Sequence, residues 1–315
     1  MRALLFDGHL SYQPSHPGPT PLEGEVLVRV HLAGVCETDL QLMKGYMSFR
    51  GILGHEFVGV AQSGAFAGRR VVGEINCACQ RCDTCRAGLG THCPNRTVLG
   101  ILNHDGAFAD TIAVPERNLH PVPDAIPTDI AVFTEPVAAA FQIPAQVPIR
   151  QRDRIVVLGD GRLGNLCAQV LAGISDHVLV VGKHPAKLAL LEDQGIATAL
   201  LTDGVDRRAA DIVVDCTGSP TGLPTALDLV RPRGTIVLKT TVAGTQTMAY
   251  APFVIDEVTL VGSRCGPFEE ALTALEQGTV DVAPLISERF DLSRGVDALE
   301  RAAAKGVLKV LLDVA

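Results

Sequence analysis

An α/β protein of two domains, a small β-barrel and a doubly wound parallel sheet, is the fold class this sequence predicts, and three observations carry it. The 315 residues exceed what one hydrophobic core usually serves. The first third reads as short apolar or alternating runs separated by glycine, whereas continuous Val/Ile/Leu runs later alternate with helix-length segments. A G-x-G-x-x-G stretch opens that second pattern, directly after a strand and at the start of a helix.

Taken in order, "EVLVRVHLAGV", "FVGVAQSG", "RRVVGE" and "ADTIAVP" are the strands of the first region, with glycine supplying the turns. After the proline-rich "HPVPDAIPTD" come "RIVVL" with "GRLGNLCAQVLAGI", "HVLVVG" with "AKLALLEDQG", and "DIVVDCTG" with "TGLPTALDLVR". Apolar strands joined by helical crossovers imply a parallel sheet covered on both faces. In the tail, "FEEALTALEQG" and "SRGVDALERAAA" read as helices, the second with Ser293 as its N-cap, and "VLKVLLDV" as a closing strand.

Composition excludes whole classes of function. A content of 47% hydrophobic and 20% charged residues describes an ordinary globular chain, and a net charge of −8 without Lys/Arg clusters argues against a nucleic-acid partner. No apolar run reaches the roughly 18 residues a membrane helix needs, and the start "MRALLFDGHLSYQP" lacks a signal-peptide pattern. The chain is therefore expected in the cytoplasm, where thiols stay reduced and a dense cysteine cluster reads as a metal site.

In "RIVVLGDGRLGNL", Gly159, Gly161 and Gly164 permit a tight turn and the close approach of a pyrophosphate to the helix N-terminus, with Arg162 and Leu163 between them. About 20 residues on, where an acid usually meets the ribose 2′-OH of NAD, stands Gly182, followed by Lys183, His184 and Lys187. A missing carboxylate and an added cation favour NADP(H) over NAD(H). The bland alternative is that Lys183 and His184 only decorate a solvated loop.

Five of the nine cysteines fall between residues 77 and 93. Cys79, Cys82, Cys85 and Cys93 have the spacing C-x2-C-x2-C-x7-C, which lets four thiolates meet a tetrahedral zinc without help from the rest of the chain. A closed Cys₄ shell has no position for substrate, so this zinc is expected to be structural. Cys77 is a spectator or an alternative to Cys79, and a zinc-ribbon nucleic-acid module does not suit so acidic a chain. Elsewhere "GVCETDL", "GILGHEFVG" and "FTEPVAAA" contribute Cys36, His55, Glu56 and Glu135, ligand types that with an open position make a catalytic zinc site.

These motifs in this order, together with "DGAFAD" and "DCTGSP", resemble the zinc-dependent medium-chain alcohol dehydrogenases, the group of sorbitol and threonine dehydrogenases. The resemblance runs along essentially the whole chain. It implies a GroES-like barrel over residues 1–135 and 266–315, with the zinc lobe at 76–95, and a Rossmann domain over 136–265, the substrate cleft lying where they meet. It implies an alcohol–carbonyl oxidoreductase with two zinc ions per chain, a nicotinamide cofactor, and a homodimer or homotetramer. Cys36 and His55 match catalytic zinc ligands, and Glu135 stands where polyol-type relatives have Glu. Glu56 matches a glutamate that coordinates the metal or stands behind it. Asp39 matches the carboxylate that orients the ligating His, and Thr38 the hydroxyl that passes the substrate proton on. Cys216, Thr217, Lys239 and Thr240 are expected to hold the nicotinamide, and Arg264 the cofactor or an anionic substrate group, unless it pairs with a carboxylate such as Glu269. Glu37 and Gln41 depart from the pattern, Gln41 standing where some relatives carry a relay His.

Two rivals remain. A zinc-free quinone or enoyl reductase would lack Cys36, His55 and the cysteine lobe. A zinc-stabilised nucleotide-binding sensor without turnover would keep them.

Overall fold

The computed structural model describes residues 1–241 and 247–315. The chain forms two compact units, Met1–Glu135 with Leu285–Ala315, and Pro136–Pro284.

The ten-residue strand Glu25–Gly34 organises the first unit. It buries Val26, Val28, Val30 and Leu32, the period-two pattern of a strand with one face on a core. One edge pairs antiparallel with Glu56–Ala61. Along the other, Thr111–Pro115 takes Glu25 to Arg29 and the tail strand Lys309–Asp313 takes Leu32 to Gly34. The tail thus fills the half of the edge that the shorter Thr111–Pro115 leaves open, and so belongs to the first unit. Arg70–Gly73 and Leu119–Pro121 extend the sheet on one side, and Ile286–Asp291 lies parallel to the tail strand on the other. A hairpin of Ala3–Phe6 and Leu10–Gln13, not anticipated from the sequence, adds a second small sheet.

Two details of the tail differ from expectation. Ser293 does not cap the helix Gly295–Ala302; its amide and hydroxyl donate to Asp291 Oδ1 at 2.8 and 2.5 Å in the preceding turn, because an aspartate two residues upstream is the stronger acceptor. Residues 266–284, including the helix Phe268–Gln277, lie in the second unit and not with the tail. Tertiary contacts decide this: a Cβ on Gly266 would stand 1.9 Å from the Ala138 carbonyl, and Asp281 exchanges two hydrogen bonds with the Gln169 side chain, at 2.6 and 2.9 Å.

The second unit is a six-stranded parallel sheet in the spatial order Ala197–Leu200, His177–Gly182, Arg154–Leu158, Ala210–Asp215, Val230–Leu238, Thr259–Gly262. That is the order of a doubly wound dinucleotide-binding fold. Val156, Leu158, Val181, Val213 and Ile236 pack with Ala226 and Leu229 of the helix Gly222–Leu229. Continuous apolar strands bury both faces, hence the lack of alternation in the sequence. Among the described residues, no helix is long and apolar enough to cross a membrane.

Candidate functional site

The cysteine lobe closes on itself. Sulfur–sulfur distances are 3.5 Å for Cys82–Cys85 and Cys79–Cys93, 3.8 Å for Cys82–Cys93 and 4.0 Å for Cys79–Cys85. A tetrahedral zinc with Zn–S bonds of about 2.3 Å needs edges of about 3.8 Å, so the four thiols already stand at the corners such an ion requires. Cys82 begins the short helix Asp83–Arg86 that brings Cys85 back, and Gln80 adopts a positive φ of 60° in the turn. Amides of Arg81 and Cys82 lower Cys79 to about 6, whereas loss of solvation and the neighbouring sulfurs push Cys85 up to about 12. Thiols this close compete for one negative charge, and a cation lets all four ionise. Cys77 lies outside the group, and burial raises its thiol to about 11.

A second donor group gathers Cys36, His55 and Glu56, whose ligand atoms lie within 4.8 Å of one another. Cys36 precedes the helix Glu37–Met43, and Asp39 in its first turn accepts the Cys36 amide at 2.8 Å. The other oxygen of Asp39 accepts the Gly54 amide at 3.2 Å and lies 3.3 Å from His55 Nδ1. That distance suits an ion pair, without hydrogen-bond alignment. Burial works to lower the pKa of His55, but the adjacent Asp39 and Cys36 prevail and hold it well above its ordinary value. Thr38 Oγ1 stands 3.9 Å from Cys36 Sγ. A buried imidazole ion-paired with a carboxylate, beside a thiol and a second carboxylate, is the donor chemistry of a metal site. Glu135, half-buried in the helix Thr134–Gln146, is outside this group of three. Gln41 Nε2 donates to Glu37 Oε1 at 2.7 Å, an i, i+4 pair on the helix surface.

Glu56 has a partner that sequence reasoning missed. Lys309 of the tail strand forms a very short ion pair with Glu56 Oε2, and both residues are 1% exposed. The ammonium also donates to the Val35 carbonyl at 3.3 Å and lies 5.4 Å from the centre of the Phe133 ring. Gly34 is required here, since a Cβ would meet Glu56 Oε2 and Lys309 Cε at 2.7 Å.

In the second unit the glycine turn has the expected mechanics. Gly159 has φ +111° and packs on the Cys216 carbonyl, and a Cβ on Gly164 would stand 1.9 Å from the Gly159 carbonyl. Gly161, at the N-cap of the helix Arg162–Ala172, faces open space, the approach a pyrophosphate needs. Arg162 and Leu163 are half-buried there. Asp215, buried at its strand end, accepts from the Thr217 amide and hydroxyl at 2.9 and 2.7 Å and from the Thr240 hydroxyl at 3.0 Å. Lys239 departs from expectation: its ammonium donates to the carbonyls of Ala139 (2.5 Å) and Arg264 (3.0 Å), so it ties the fold together rather than facing a ligand. Arg264 is exposed. At the end of His177–Gly182, Lys183 is exposed, His184 and Lys187 are half-buried, and the carboxylate of Asp160 reaches in from the glycine turn.

Residues 22–124 match the alcohol dehydrogenase GroES-like domain family, and residues 162–278 the zinc-binding dehydrogenase family. An L-threonine 3-dehydrogenase of Stenotrophomonas maltophilia is 30% identical over 244 residues, 70% of this chain and 71% of the relative. This chain is a zinc-type medium-chain dehydrogenase. Two solved structures are similar over nearly the whole chain. A zinc-binding dehydrogenase from Sinorhizobium meliloti 1021 bound to NADP is 26% identical, with TM-score 0.88 over 99% of both chains. An alcohol dehydrogenase from Escherichia coli CFT073 complexed with NADH is also 26% identical, with TM-score 0.90 over 100% of this chain and 99% of that one. As a medium-chain dehydrogenase, the chain is a zinc-dependent oxidoreductase of the alcohol dehydrogenase type that works with a nicotinamide cofactor on small molecules. Its GroES-like fold and its parallel Rossmann-type sheet match the architecture expected from the sequence. The residues missed in this dehydrogenase, Lys309 and Asp160, each left one signal: a cation among the apolar residues of the closing strand and a carboxylate between two glycines of the turn.

Proposed function

We propose that this dehydrogenase interconverts an alcohol and its aldehyde or ketone with two zinc ions per chain, one structural at Cys79, Cys82, Cys85 and Cys93 and one catalytic at Cys36 and His55. Zinc and nicotinamide, when bound, supply respectively the positive charge that acidifies an alcohol and the acceptor for its hydride. Cys36 and His55 anchor the catalytic ion, and Asp39 holds the imidazole in its ligating orientation. Glu56 and Glu135 are the carboxylates available to complete the shell, Glu56 being restrained by Lys309. Thr38 passes the substrate hydroxyl proton outward. Gly159, Gly161 and Gly164 receive the pyrophosphate, and Thr217 and Thr240, set by Asp215, support the nicotinamide half. The expectation of NADP(H) rested on an absent carboxylate at Gly182; Asp160 now stands beside that position. The resemblance also supports a homodimer or homotetramer in the cytoplasm.

The observation that carries this reading is the convergence of Cys36, His55 and Glu56 within 4.8 Å, backed by Asp39. Metal analysis joined to an alcohol and carbonyl screen tests it. Two zinc ions per chain in the wild type, with turnover lowered on the order of 10³-fold in Cys36→Ser, is the expected result. One tightly held zinc, with nucleotide binding and no turnover across the screen, would leave the sensor.

A further inference from the structure

The end of the strand His177–Gly182 is where a dinucleotide-binding fold presents a carboxylate to the adenosine ribose. Gly182 cannot supply one, and the structure shows why it is glycine. A Cβ at that position would strike the Asp160 side chain, at 2.5 Å from Oδ2 and 2.7 Å from its Cβ. The space that an acid on Gly182 would fill is already filled, by an acid from the glycine turn.

Asp160 is 8% exposed and tightly held. Its Oδ2 accepts the amides of Lys183 and His184, each at 2.7 Å, and His184 Nδ1 sits 3.0 and 3.1 Å from its two oxygens. Burial pushes the Asp160 pKa up, but the hydrogen bonds from the His184 ring and from the two amides outweigh it and leave the group below its ordinary value. A carboxylate offers about four lone-pair positions, so roughly one remains for a further donor. A ribose hydroxyl is such a donor. A 2′-phosphate is not: it carries acceptor oxygens and negative charge, and would meet a fixed carboxylate without a proton to share. The opposing cation, Lys183, is exposed on a flexible stem, where solvent screens its charge. The Nδ1 of His184 is turned onto Asp160.

We infer that Asp160 selects the cofactor: it stands in for the acid missing at Gly182, accepts a ribose hydroxyl and excludes a 2′-phosphate, so that the enzyme uses NAD(H). This rests on the nicotinamide-dependent reading above, and the test separates the two. Isothermal titration of the purified enzyme with NAD⁺ and with NADP⁺ should show NAD⁺ binding at least about tenfold tighter, about 1.4 kcal/mol. In Asp160→Asn that ratio should collapse, chiefly because NADP⁺ binds better. Should the single variant not fold, the exchange Asp160→Gly/Gly182→Asp returns a carboxylate to the same place and should keep the preference for NAD⁺. Equal or tighter NADP⁺ binding by the wild type, a ratio unmoved in Asp160→Asn, or an NADP⁺-preferring exchange variant would each overturn the inference and leave the dehydrogenase reading intact. Failure of both nucleotides to bind the wild type would overturn both.

Discussion

The four-cysteine lobe and the Cys36–His55–Glu56 group are both clusters of metal-ligating side chains in the first unit, assembled by opposite means. The lobe takes every donor from one 15-residue segment, Cys79 to Cys93, and its sulfurs stand 3.5 to 4.0 Å apart. The other group draws on a helix start, a strand start and, through Lys309, the far end of the chain, 253 residues from Glu56. In the lobe all four donors are thiols, standing at mutual distances that suit one tetrahedral ion. In the second group the donors differ, and two of them are held by residues that are not ligands, His55 by Asp39 and Glu56 by Lys309. A closed shell of like ligands serves folding, whereas unlike ligands held from behind leave a face for chemistry.

That contrast can be broken at either end. The largest expected effect is on stability. Cys93→Ser, at a position with no exposure, should remove one zinc per chain and lower the melting temperature by on the order of 10 °C or more. An unchanged melting curve would remove the structural role of the lobe. Cys36→Ser should do the reverse. Serine is a favourable helix N-cap, so melting should move by only about 2 °C, while turnover falls on the order of 10³-fold.

Lys309→Met probes the support behind the second group. It strands the Glu56 carboxylate in the core and should cost about 3 kcal/mol or more in urea unfolding. A second change, Glu56→Gln, should restore most of that, since the uncompensated charge is then gone. A single variant as stable as the wild type would show that the pair does not hold Glu56. The smallest effect is expected for Asp39→Asn: chelator competition should show zinc at Cys36 and His55 weakened by about 10-fold, with zinc in the lobe unchanged.

The same division between local and assembled features explains what was legible in the sequence. The glycines of the nucleotide turn could be read directly because their requirement is steric and nearby: Gly164 meets Gly159, five residues earlier. The cysteine lobe could be read because ligand spacing within one loop nearly determines whether four sulfurs can meet. Apolar strands alternating with helices indicated the parallel sheet. Asp160 and Lys309 escaped notice, and the carbonyl partners of the Lys239 ammonium were not foreseen, because the groups they meet are distant in the sequence. Lys239 looks like a ligand-binding cation until the Ala139 and Arg264 carbonyls are found around it. Gly182 looks like an absence until Asp160 is found in its space.

By itself, then, the amino-acid order determined the two-domain plan, the family and the spacing of the cysteine lobe, and offered the candidate metal-ligating side chains, since each follows from short-range spacing, from motif order or from the periodicity of burial. Only the tertiary structure decided where the second unit ends, which charge sits behind Glu56, and that a carboxylate occupies the end of the His177–Gly182 strand. Those facts depend on which distant segments become neighbours. Strand register and side-chain packing settle that, through the cost of leaving a buried charge alone.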